Sequence, residues 1–212
     1  MNRLKMIFSV ILAFTLSGCI GWYDKMSHLS DEELAWVNCY EIGDSILFQS
    51  DSLDIDTLVV TDKNIYNTSN PFFIHFIDNY PGSNFNAIAN YIFIIKNKTN
   101  NIEGYFEIEK FVENDSIKID ALLDQRFSND WNYDFDYRND MRIFTESNPI
   151  KITKFSMNGQ LFNNCIIIDD SNSRLSKYND RENPIASFVI NRDYGLIYYR
   201  YANDKEFFRK FE

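Results

Sequence analysis

Histidine occurs only twice in the 212 residues, at His28 and His75, and proline four times, glycine seven and cysteine three. Each scarcity removes a class of chemistry. Two distant histidines with no i, i+4 pair exclude a zinc centre of the H-E-x-x-H type, so no metal is expected. His75, inside Phe73-Ile74-His75-Phe76-Ile77, reads as a strand residue with a satisfied ring nitrogen rather than as a base. So little glycine and proline rules out collagen-like or low-complexity character. No Gly-rich phosphate loop, Rossmann fingerprint or G-x-S-x-G elbow is present, so no cofactor is implied. Basic residues are also in deficit: 21 Lys and Arg face 31 Asp and Glu, a net charge of −10. A chain that acidic repels nucleic acid and anionic lipid headgroups, and neither is expected as a partner.

Aromatic residues, by contrast, are abundant: 19 Phe, 13 Tyr and 3 Trp in a chain that is 45% hydrophobic. Each ring side chain buries about 150–250 Å² when enclosed, so a substantial core is within reach.

The amino terminus has its own pattern. Arg3 and Lys5 precede an apolar stretch from Met6 to Leu16 broken only by Ser9 and Thr15. As a helix it would span roughly 16 Å, about half of a bilayer core. That is too short to cross a membrane and suits the h-region of a secretory signal. It ends in Leu16-Ser17-Gly18-Cys19, which resembles the lipobox of bacterial lipoproteins. The resemblance implies a signal peptide of residues 1–18 and a Cys19 thiol that carries palmitoyl-type acyl chains. Two or three chains, at about 0.8 kcal/mol per buried methylene, make an effectively permanent anchor. Position 20 is Ile rather than the Asp associated with inner-membrane retention, which favours the outer membrane, with the domain facing the periplasm or the cell surface. Loss of Arg3 and Lys5 with the signal takes the charge from −10 to about −12, so membrane contact is expected through the lipid alone.

Ser30-Asp31-Glu32-Glu33 has the form of a capping box, with Leu34 and Val37 following at helical spacing. A short helix is expected near residues 31–38, within a lipidated tether over 19–39. Beyond it the period changes to two. Ile46 to Gln49, Thr57 to Thr61, Phe72 to Ile77, Tyr91 to Lys96, Ile102 to Phe111 and Ile117 to Ala121 read as strands with turns between them. Asn158-Gly159 is the preferred dipeptide of a type I′ turn, so Ile150 to Phe155 and Leu161 to Ile168 form a hairpin. Ala186 to Asn191, Leu196 to Tyr201 and Glu206 to Phe211 complete ten to twelve strands. The expected fold is mostly β over residues 40–212, an antiparallel sandwich or incomplete β-barrel behind a short N-terminal helix; α+β with one antiparallel sheet is the alternative. Asn158 to Cys165 and Asp193 to Tyr199 resemble a pattern in small Bacteroidetes envelope lipoproteins, a hairpin "NGxxYNNV" followed by a "YGLIxY" strand. Cys165 stands where that pattern has valine. The family has no assigned chemistry, so the resemblance implies a β domain and no activity.

Chemistry is most concentrated in Asp130-Trp131-Asn132-Tyr133-Asp134-Phe135-Asp136-Tyr137. As a strand it carries rings on one face and oxygen-rich side chains on the other. It reads either as an edge strand with its rings in the core or as a ligand platform of Trp131, Tyr133 and Tyr137 with Asp134 and Asp136 accepting hydrogen bonds from ligand hydroxyls. A calcium loop fits poorly, since Phe135 and Met141 replace the required Gly and Glu. Asp51, Asp54 and Asp56 read as turn formers. Once Cys19 is lipidated, Cys39 and Cys165 remain as either a disulfide or two separate thiols. The 31 acids leave room for a carboxylate pair of glycosidase type, which sequence spacing does not reveal. The functional expectation is a non-enzymatic, lipid-anchored envelope protein with a protein or glycan partner or a structural role, against the alternative of a polysaccharide-directed hydrolase or glycan-binding module.

Overall fold

The structure, a computed structural model, describes residues 20–74, 84–97, 101–126, 151–169 and 183–211. One helix, α1 (Asp31–Asn38), starts where the capping box lies: Glu33 N donates to Ser30 Oγ at 3.3 Å, and Ser30 N donates to Glu33 Oε2 at 2.6 Å. Cys39 forms its C-cap.

Fourteen strands are described. Four are short: β1 (Ile20–Trp22), β2 (Lys25–Met26), β5 (Phe72–Ile74) and β6 (Asn84–Phe85). The other ten are β3 (Ser45–Ser50), β4 (Ile55–Tyr66), β7 (Ala87–Lys96), β8 (Asn101–Lys110), β9 (Ile117–Arg126), β10 (Ile152–Met157), β11 (Gln160–Ile168), β12 (Ile185–Asn191), β13 (Gly195–Tyr201) and β14 (Glu206–Arg209). These ten form one antiparallel sheet in the order β10-β11-β12-β13-β14-β3-β4-β7-β8-β9. The sheet is curled into a half-barrel, and its last strand, β9, comes round to touch β12. The mostly β, antiparallel incomplete barrel is therefore the architecture, and the intervening helices that a parallel sheet would need are absent from the described residues.

The concave face is filled by rings. Tyr91 stacks on Phe106 at 5.4 Å, Tyr40 meets Tyr91 edge-on at 4.9 Å, and Tyr199 stacks on Phe207 at 5.0 Å. Helix α1 lies against β7 and β8 and adds Trp36, stacked on Phe106 at 6.1 Å, and the fully buried Val37. Gly104, opposite Phe93 in the β7–β8 register, leaves the space that the Phe93 ring occupies: a Cβ there would lie 2.0 Å from the ring. Side chains of this size, packed ring against ring, fill the described part of the concave face.

The segment after residue 19 carries paired backbone: β1 pairs with β5, β2 pairs with β6, and the Ser27 hydroxyl donates to Lys110 O at 2.6 Å. Lys110 Nζ, 3.2 Å from Glu33 Oε1, then fastens α1 to the sheet. Backbone that would otherwise be unpaired finds partners on β5 and β6, in two small sheets separate from the large one.

Of the two readings of the remaining cysteines, the structure has the separate thiols. Cys39 and Cys165 are both free thiols. Cys39 packs against the concave-face cluster, whereas Cys165 belongs to a second cluster on the convex face with Phe162, Val189 and Ile197, so the sheet separates them.

Candidate functional site

The ladder residues Trp131, Tyr133, Asp134, Asp136 and Tyr137 lie outside the described residues, as do Cys19, His75 and the calcium-loop positions. His28 is exposed. Among the described residues no group of three or more His, Cys, Asp and Glu is placed to hold a metal ion.

The described residues bring chemistry together in two places. One is closed. Asp56, expected as a turn former, is instead an inward residue of β4, opposite Phe48 and only 3% exposed, where it accepts a hydrogen bond from the Tyr199 hydroxyl. The β3–β4 turn proper is made by Ser50 to Asp54: Asp54 N donates to Ser50 Oγ at 3.1 Å, and Asp54 is held by Lys205 at 2.8 Å. Burial drives the Asp56 carboxyl above its ordinary range, against the pull of the Tyr199 hydroxyl and Lys205. The Tyr199 hydroxyl is pushed up strongly by burial and by the carboxylate beside it. This pair was legible in the alternation, since Asp56 shares its face with Leu58 and Val60. It is a satisfied polar group in the core, out of reach of a ligand.

The other place is open, and the bend of one strand creates it. β11 pairs with β12 only from Cys165 to Ile168. At Asn164 the backbone takes a left-handed φ of 57°, which asparagine tolerates better than most residues, and β11 leaves the sheet. The β10–β11 hairpin then folds back over the convex face. Phe155 of β10 consequently reaches Tyr198 of β13 at 5.2 Å, two strands beyond the neighbour it would touch in a flat sheet.

Asn191, 1% exposed, pins this bend. Its amide donates to Asn163 O and to Cys165 Sγ, while its carbonyl oxygen accepts from Asp193 N at 2.9 Å and Tyr194 N at 3.1 Å. At the tip, Asn158 and Gly159 both have positive φ, 51° and 77°, as the Asn-Gly dipeptide predicts for a type I′ turn.

Between this tip, the β3–β4 turn and the end of β14 lies a groove of about 450 Å³. That is within the range of roughly 300–1,000 Å³ usual for small-molecule sites. Phe208 and Phe211 supply rings, and Gln49, Asn158 and Gln160 supply amides. Phe211 is clamped by Phe162 at 5.2 Å, by Tyr194 edge-on at 5.1 Å and by the Arg209 guanidinium at 5.3 Å, yet remains 37% exposed. Among the described residues that line the groove, Asp51 is the one acid and Arg209 and Lys210 are the cations. The sequence signal for this site was weak: Glu206 to Phe211 read only as a last strand, and nothing local shows that the distant 158–160 turn comes to lie beside it.

Comparison of the chain with protein-family models, curated proteins and solved structures returns no match.

Proposed function

We propose that the protein is a lipid-anchored envelope protein, held by acyl chains on Cys19 in the outer membrane, and that it works as a non-enzymatic binding module through the convex groove. The observation that carries the binding reading is Phe211, a ring held on three sides by Phe162, Tyr194 and Arg209 that still turns an open face to the groove. A fixed, exposed aromatic costs little conformational entropy to bind against and marks an interaction surface. The ring-filled concave face of the described residues supports placing the ligand outside the half-barrel.

The described lining of the groove supports binding: glycoside hydrolysis requires two carboxylates flanking the bond, and among the described residues Asp51 is the one acid there, with Asp56 enclosed beside Tyr199. The anchor reading rests on Leu16-Ser17-Gly18-Cys19. Membrane fractionation of the full-length chain tests it: Cys19→Ala is expected to remain as precursor and to lose the detergent-phase partitioning of the wild type. A Cys19→Ala protein of mature size that still partitions with membranes defeats the reading.

A further inference from the structure

The groove's lining contains the means to select a ligand class. Its three amide side chains, on Gln49, Asn158 and Gln160, make no hydrogen bond with other described residues, so each presents both a donor and an acceptor to whatever enters. A sugar hydroxyl is likewise donor and acceptor at once, and the apolar C–H face of a pyranose matches a ring such as Phe211. The floor strands bear on the alternative of an extended peptide. β14 is paired with β13 and β3, and β3 with β14 and β4, so neither floor strand offers an edge for main-chain addition. Polyanions are disfavoured by the net charge of −10, and Asp51 stands among the cations at the groove itself.

We propose that this groove binds a neutral, hydroxyl-rich oligosaccharide, with Phe211 stacking on a sugar ring and Gln49, Asn158 and Gln160 hydrogen-bonding its hydroxyls. The proposal rests on the binding-module reading above and names the ligand class of the same site.

Full-length protein in detergent micelles, presented to an array of neutral oligosaccharides, uronate-bearing oligosaccharides and unstructured peptides, tests it. Neutral oligosaccharides are expected to be retained. Phe211→Ala and Gln160→Ala are each expected to lower the affinity roughly tenfold. Ile65→Ala, outside the groove, should leave it unchanged. Gln160 is an exposed tip residue, so its variant keeps the test valid even if Phe211→Ala perturbs the fold. Failure to retain any neutral oligosaccharide, or retention undiminished in Gln160→Ala, overturns the proposal. Peptide or uronate binding that is lost in Gln160→Ala also overturns it while leaving the binding-module reading in place. Absence of all three kinds of binding defeats both.

Discussion

The Tyr40 hydroxyl is bonded to both main-chain groups of Leu196: it accepts from Leu196 N at 3.0 Å and donates to Leu196 O at 3.5 Å. The ring reaches that far because the preceding residue is glycine. A Cβ on Gly195 would lie 2.3 Å from the Tyr40 ring, and its φ of +70° disfavours any side chain.

Gly195→Ala is therefore expected to destabilise the protein by about 3 kcal/mol or more, from backbone strain and overpacking together. Denaturant unfolding measures it. A loss under about 0.5 kcal/mol, the range of an ordinary surface change, means that the Tyr40 ring does not occupy that space.

Asp56 gives a pH dependence of definite sign. Burial raises its carboxyl above the ordinary 3.8, so the folded chain holds that proton more tightly than the unfolded one. Its contribution to stability is thus fully present below pH 3.8 and is lost as pH rises through the folded value. Asp56→Asn keeps an acceptor for the Tyr199 hydroxyl and removes the titration. The variant should show a flatter stability profile over the mildly acidic range, and at neutral pH it should be no less stable than the wild type. A variant less stable at neutral pH, with the acid-range slope intact, contradicts the assignment.

Asn191→Ala removes the amide that holds Asn163 O and the acceptor of two turn N–H groups. Each buried main-chain group left without a partner costs about 1–3 kcal/mol. Hydrogen exchange should quicken first in residues 155–163, where the hairpin is held by this pin, and less in β7 and β8. Uniform loss of protection would show that Asn191 supports the whole sheet rather than the bend.

Burial drives the Cys39 thiol up to about 12 and moves Cys165 upward as well, so neither supplies much thiolate at neutral pH. In the native protein both are expected to resist alkylation. After denaturation without reductant, peptide mapping should find both alkylated. A requirement for reductant would establish a disulfide between them.

How much of this was readable in the chain depends on how local each cause is. The capping box from Ser30 to Glu33 and the Asn158-Gly159 turn are fixed by neighbours three residues apart or fewer, and both stand where the sequence put them. The barrel class followed from strand periodicity, which reports the faces of a sheet but not its curl. The bend at Asn164 was not legible, because it depends on Asn191, 27 positions later, satisfying the groups it frees. For the same reason the groove was missed: its walls come from residues about 50, 160 and 210, and only the fold sets them side by side. Pairing of residues 20–26 was hidden because two- and three-residue strands carry no periodicity.

The early start of paired backbone bears on how far the protein can act. A flexible leash extends at most about 3.6 Å per residue, and many surface-tethered proteins sample distance by its length. Here β1 begins at Ile20, one position beyond the proposed anchor at Cys19. If Cys19 carries the proposed acyl chains, the leash has essentially no slack, because paired backbone begins beside the anchor, and the working radius becomes the girth of the fold itself.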